Sequence, residues 1–450
     1  MRPLYRLLLL LVLAGCTATT PARPLATPAV AVTPAGPSAV DVASATRWLT
    51  DGPRLLDRPG GSMRGLRAVI DGYGHTHMLY QSSVEWMGPR NEGAVVVSGT
   101  TPGGDRYERR LWTAEKGFAT NAIATWKGRV VVVAGTRPIN AASGLAVVMW
   151  VSEDGGVSWS APSQPLGAEV YQAEVAFTPS GQIVLVGGVY DGTFQTVIAV
   201  EDPRGWQIAR PFGVGSGQHR ALWMRDPTDP TQATLPALIA LASTPNGFAV
   251  ARSDDGIAWT TTAVASVAAW LPHLSAVGSS LVVVHEQYGR RGLTLARSDD
   301  GGATWTVQRM LVSAEYHAMG SPMLWDRTSD MVFLVLGRMN LTIPERRIVV
   351  IGALRTAMLD GDGAWTPDWT STQAWMPLAL PAGQTDQTRP MVAQRGGLAV
   401  VLWEGEWHPA DWLRTKAVDS DFRPTSAVML ATLRLPALPT VWHQRQEETP

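Results

Sequence analysis

Three short segments of this chain are near-copies of one another, and their spacing limits the fold more than any other feature. They are Ser152-Glu153-Asp154-Gly155-Gly156-Val157-Ser158-Trp159, Ser253-Asp254-Asp255-Gly256-Ile257-Ala258-Trp259 and Ser298-Asp299-Asp300-Gly301-Gly302-Ala303-Thr304-Trp305. Each comes after a short apolar stretch (145–151, 248–252 and 293–297) that reads as a strand. A tight turn needs a carboxylate to accept backbone N–H groups and a glycine to take positive φ, and the tryptophan then covers the turn. Weaker copies stand at Glu115–Phe118, Glu201–Trp206 and Asp360–Trp365. The closing aromatics Phe118, Trp159, Trp206, Trp259, Trp305 and Trp365 are 41, 47, 53, 46 and 60 residues apart. A period of about 40–50 residues is the length of a four-stranded propeller blade.

The segments resemble the Asp-box, or bacterial neuraminidase repeat, whose pattern is Ser/Thr-x-Asp-x-Gly-x-Thr-Trp. In that family the box lies on the hairpin between the third and fourth strands of a β-propeller blade, on the face opposite the active site. The resemblance implies a structural role for Asp154, Trp159, Asp255, Trp259, Asp300 and Trp305. Strand–turn–strand patterns recur between the boxes at 66–80, 126–132, 174–186, 277–283 and 394–401, and no long amphipathic helical period is visible. The expected fold is all-β: one β-propeller over residues 41–440, with seven four-stranded blades and six as the alternative. The last blade, 390–435, lacks a box, and Arg47–Leu56 is expected to supply its outer strand.

The N-terminus sets the expected address. Arg2 and Arg6 precede an apolar run, Leu7–Leu13, and then Ala14-Gly15-Cys16. This is the pattern of a secretory signal, and Leu13–Cys16 resembles the bacterial lipobox, in which the cysteine is diacylated. Cys16 is the only cysteine among 450 residues, so an intrachain disulfide is excluded. The expectation is a signal over 1–15, a lipidated Cys16 opening an Ala/Pro/Thr-rich stalk over 16–40, and a polar tail over 441–450. Membrane contact would run through the lipid, with the protein facing the outside or the periplasm. A formal net charge of −1 without a basic tract argues against nucleic acid as a partner. The histidines lack metal-ligand spacing, so neither a metal nor a cofactor is expected.

Aligning the inner strands puts Arg67, Arg220 and Arg389 at similar levels, with Glu174 near them and His219, His273, His317 and Tyr316 on the same face. The sialidase active site has an arginine triad for the substrate carboxylate and a tyrosine nucleophile paired with a glutamate. The resemblance would make Arg67, Arg220 and Arg389 the triad, Tyr316 the nucleophile and Glu174 its base. The family's Phe/Tyr-Arg-Ile-Pro signature is absent, since the strand reads Leu66-Arg67-Ala68-Val69, and Asp71 stands at the wrong end of that strand to be the acid/base. Two stretches, 81–106 and Trp403–Trp412, read as long loops on this face; the second would present Trp407 and Trp412 for stacking on sugars. These residues leave three functions open: a propeller binding glycan or another extracellular ligand, an exo-glycosidase acting on a carboxylated sugar, and an envelope scaffold binding protein. Convergence of the three arginines would favour the enzyme, and their dispersal into separate pairs would not.

Overall fold

The computed structural model describes residues 49–434 except 58–61, 84–92, 101–105, 115–120, 137–145, 167–169, 191–192, 214–219, 267–268, 288–289, 311–315, 318–322, 328–329, 340–345, 355–383, 396–397 and 408–424. Cys16, the signal, the stalk and the polar tail therefore lie outside the described residues. So do the two weak copies at 115–118 and 360–365, together with Trp86, His219 and Trp412.

The described chain is built of antiparallel strands. After β1 (Leu49–Asp57), the first sheet holds β2 (Ser62–Ile70), β3 (Thr76–Ser83), β4 (Gly93–Thr100) and β5 (Arg106–Ala114). The second holds β6 (Asn121–Trp126), β7 (Arg129–Thr136) and β8 (Ala146–Ser152). The third holds β9 (Val170–Phe177), β10 (Ile183–Tyr190), β11 (Phe194–Asp202) and β12 (Gly205–Ala209). In the fourth are β13 (Arg220–Met224), β14 (Leu238–Thr244), β15 (Gly247–Ser253) and β16 (Thr260–Ala265). The fifth comprises β17 (Ala269–Val277), β18 (Ser280–Gln287), β19 (Arg290–Ser298) and β20 (Thr306–Met310). The sixth joins β21 (Tyr316–His317), β22 (Met323–Asp326), β23 (Met331–Met339) and β24 (Arg346–Leu354). The seventh runs β25 (Gln384–Arg395), β26 (Leu398–Trp407), β27 (Thr425–Arg434) and finally β1. The strand expected at 47–56 is thus β1, paired with β27 through Leu55 and Met429.

Neighbouring sheets touch in chain order: β2 meets β6, β6 meets β9, β9 meets β13, β13 meets β17, β19 meets β21, β22 meets β25, and β25 meets β2. This arrangement fits a β-propeller. The cores lie between sheets, which explains the unbroken apolar runs in the second strands. Successive side chains of a strand point to opposite faces, so Val131 and Val133 pack against Phe177 and Leu185 of the third sheet. Val132 and Ala134 pack the other way, against Leu79 and Val97 of the first. Leu66, Tyr80 and Val96 of the first sheet meet Val400 and Leu402 of the seventh. Burying each such side chain contributes roughly 1.5–3 kcal/mol.

Two sequence expectations are corrected. Residues 81–106 are not one long loop, because β4 occupies the middle and pairs with both β3 and β5. Residues 403–407 are also strand: β26 keeps its ladder as far as Trp407, opposite Gln384 on one side and Thr425 on the other. Alternating residues with partners on both edges override the loop-like composition of Glu404-Gly405-Glu406.

Candidate functional site

The three repeated turns stand at the ends of the third strands β8, β15 and β19, and all three are bonded alike. Ser152, Ser253 and Ser298 each donate a hydroxyl to the aspartate two residues on, at 2.8, 3.0 and 2.8 Å. The same hydroxyls accept from the backbone N–H of Gly156, Gly256 and Gly302 at 2.7, 2.8 and 2.7 Å. Asp154 accepts from the Ser158 N–H, Asp255 from Ile257 and Ala258, and Asp300 from Ala303 and Thr304. Trp159, Trp259 and Trp305 donate their indole N–H to the carbonyls of Gly156, Gly256 and Gly302. Those glycines have φ of 96°, 80° and 91°, a region that favours glycine. Burial, the largest single influence, pushes the Asp300 carboxyl up, but the bonds from Thr304, Ser298 and Ala303 together prevail and hold it at about 2. The carboxylates are spent on their own turns.

The weak copy at 201–206 differs. Asp202 pairs with Gly205 across a two-residue hairpin, and its carboxylate accepts from the Arg204 N–H at 2.9 Å. In the second sheet the turn ending at Trp159 leads into an irregular edge, where Met149 and Ser163 form an isolated bridge. Pro162 and Pro165 lack the N–H that a regular fourth strand would need there.

The inner strands carry the polar cluster. Arg67 of β2 donates to Glu174 of β9 at 3.3 Å, and both side chains are half-buried. Arg67 also donates to its neighbour's carbonyl at Leu66 and approaches the Met391 sulfur of β25 at 3.9 Å. Burial raises the Glu174 carboxyl above its ordinary value, against the opposing pull of Arg67 and Arg220. His273 of β17 is pushed down to about 4, first by burial and then by the Arg67 charge, so it is neutral at pH 7.

Arg220, the first residue of β13, is buried and leans onto the third sheet. Its Nε donates to Thr196 Oγ1 of β11 at 3.2 Å, and its guanidinium lies over Gly188 of β10, where a Cβ would collide with it. Burial lowers it to about 10 against the pull of Glu174. Arg67 and Arg220 therefore share Glu174 as an electrostatic neighbour; Arg67 donates to Glu174 itself, and the Arg220 Nε donates to Thr196. Arg389 sits in β25 at the bulge between Thr388 and Met391, two residues from the methionine that Arg67 approaches. Tyr316 pairs with Arg338 and His317 with Gly337 through the backbone of β23. The side chains of Arg389, Tyr316, His317 and Trp407 are not among those described.

Sequence reasoning missed a second polar cluster, at the turn end of the first sheet. Asp71 is buried and accepts from the N–H groups of Tyr73 and His75 at 2.8 Å each, with His75 Nδ1 at 2.9 Å. His77, fully buried, stands 3.6 Å from the same carboxylate and shares a 2.7 Å bond with the Tyr107 hydroxyl. Burial pushes Asp71 up, but the bonds from His75 and the nearness of His77 outweigh it and hold the carboxyl far below the usual range. Burial and the Asp71 charge both raise the Tyr107 phenol. The Asp71-x-x-x-His75-x-His77 spacing is the one local signal that could have pointed here. Among the described residues no group of three His, Cys, Asp or Glu side chains is placed to hold a metal ion.

No family model matches the chain, and no curated protein matches it. Similar solved structures include a protein of unknown function from Dyadobacter fermentans, at 12% identity and TM-score 0.45, covering 86% of this chain and 100% of that one. The endosialidase of phage phi92 is 10% identical with TM-score 0.49, over 87% of this chain and 70% of its own. A Trypanosoma rangeli sialidase solved with sialic acid is 12% identical with TM-score 0.44, over 81% and 75%.

Proposed function

We propose that the chain is a lipid-anchored envelope protein whose seven sheets close into a seven-bladed Asp-box propeller, binding glycan or another extracellular ligand at the inner-strand face. The observation that carries this reading is the Arg67–Glu174 pair with His273 beside it, contributed by three different sheets. Guanidinium donors, carboxylate acceptors and a neutral imidazole in one place match the mixed donors and acceptors of sugar hydroxyls. Binding is preferred to hydrolysis because Glu174, the base that the sialidase resemblance would assign to Tyr316, is engaged by Arg67, and Arg220 bonds to Thr196.

The test is a soluble form beginning after residue 40, screened on glycan arrays and on fluorogenic sialosides. Array binding that Arg67→Ala abolishes without unfolding the protein supports the reading. Binding that survives both Arg67→Ala and Glu174→Gln overturns the placement of the site. Sialoside turnover that disappears in Tyr316→Phe would replace binding by hydrolysis.

A further inference from the structure

The connection between β13 and β14 is far longer than the tight turns that join the first two strands in the second, third and fifth sheets. It is also folded on itself. The Arg225 N–H bonds the Ala237 carbonyl at 2.9 Å, closing its base, and the Arg225 guanidinium bonds the carbonyls of Ala233 and Leu235 at 3.1 and 2.7 Å. Asp226 accepts from the Thr228 N–H and hydroxyl at 3.0 and 2.7 Å. Asp229 caps the 3-10 turn Pro230–Gln232, accepting from Thr231 and Gln232. A loop so bonded keeps one shape and can carry load.

Its outer carboxylates do not reach the sheets next to their own. The neighbours of β13 are β9 and β17 of the third and fifth sheets. Asp226 instead pairs with Arg395, the last residue of β25 in the seventh sheet, at 2.9 Å, and Asp229 pairs with Arg327 just after β22 in the sixth. Arg395 also bonds the Ile70 carbonyl at 3.4 Å and lies beside Gly72, at the end of β2 in the first sheet. Arg327 is stacked 4.9 Å over Trp325, whose backbone N–H and carbonyl hold the Gln394 amide at 2.9 and 2.8 Å. In a ring of seven, the fourth sheet stands opposite the junction of the seventh with the first, so a segment joining them crosses the axis.

We propose that residues 225–237 form a salt-bridged strap across the turn end of the central channel, tying the fourth sheet to the sixth, seventh and first and closing that end. The strap rests on the proposed seven-membered ring. It leaves the Arg67–Glu174 cluster at the floor of a cavity with one mouth, and it braces the seventh sheet, which must hold the N-terminal strand.

The test is hydrogen–deuterium exchange on the full chain, comparing the unaltered protein with Arg395→Gln and Arg327→Gln. Both substitutions lie outside the strap, 98 residues or more along the chain from their partners. Each should raise exchange within 225–237 by about tenfold or more, since opening free energies fall when a tie is cut. The double variant should do little more than the larger single one, and Arg395→Lys should restore part of the protection. Unchanged exchange in 225–237 for both singles overturns the strap, as does a rise confined to the sheet that carries each substitution. A failed ring would show separately, as β1 and β27 unprotected in the unaltered protein.

Discussion

The repeated turns and the inner-strand cluster satisfy their polar groups in opposite ways. At the repeated turns the bonds of the serine, of the aspartate two residues after it and of the tryptophan stay within the turn: serine to aspartate two residues on, glycine to serine four or fewer residues back, tryptophan to glycine three back. At the inner-strand cluster the partners are far apart in sequence, with Glu174 lying 107 residues from Arg67 and Thr196 24 from Arg220. Local bonds make each turn a self-sufficient unit that can be copied from sheet to sheet. Long-range bonds exist only when several sheets are assembled, so they report the assembly and are free to vary from one sheet to the next.

The contrast can be broken most forcefully at Glu174. Glu174→Ala leaves Arg67 half-buried without its carboxylate and is expected to cost about 2–3 kcal/mol, read from urea unfolding, with Glu174→Gln recovering part of it. At the turns, Ser298→Ala removes the acceptor of the buried Gly302 N–H and should cost about 1–2 kcal/mol, with the damage confined by exchange measurements to 298–305.

Acid sharpens the comparison further. His273 is held at about 4 in the folded chain, so the unfolded chain takes up the proton first as pH falls from 6.5. Stability should be intact above that value and decline by about 1–2 kcal/mol by pH 5, a decline that His273→Gln reduces. His285, also pushed down by burial, adds to the same window. The turns respond in a lower range, because Asp300 is held at about 2 and its contribution is present above its unfolded value and lost only as pH falls from there toward 2. Thr304→Ala, which removes one exposed hydroxyl bond to Asp300, is the smallest effect, about 0.5–1 kcal/mol at neutral pH.

The same contrast explains what the sequence revealed. The turns were legible because the serine, aspartate and tryptophan bonds that shape them fit within eight residues, and the strands before them because apolar runs are long enough to recognise. Arg67 and Glu174 could be nominated from strand alignment, but not joined. Nothing near Arg220 in sequence points to Gly188 or Thr196, and nothing near Asp226 points to Arg395. The stretch 403–407 was misread because glycine and paired glutamates resemble a loop until the partner strands on both sides are known. The cluster of Asp71, His75, His77 and Tyr107 was half visible: three members share one hairpin, and the fourth arrives from β5.

The pairing of β1 with β27 sets a timetable. A chain emerging from a ribosome or a translocation pore presents Leu55 long before Met429, its eventual partner. At roughly 5–20 residues per second, β1 waits on the order of 20–80 s with an unpaired edge. For that interval it is a free strand that any other edge could capture, including the unfinished seventh sheet of a second copy. Closing so long a loop costs little more than closing one half its length, about 0.6 kcal/mol per doubling, so the difficulty is one of waiting. Synthesis that stalls between β1 and β27 should therefore yield exchanged, interlocked chains more readily than a stall after residue 434.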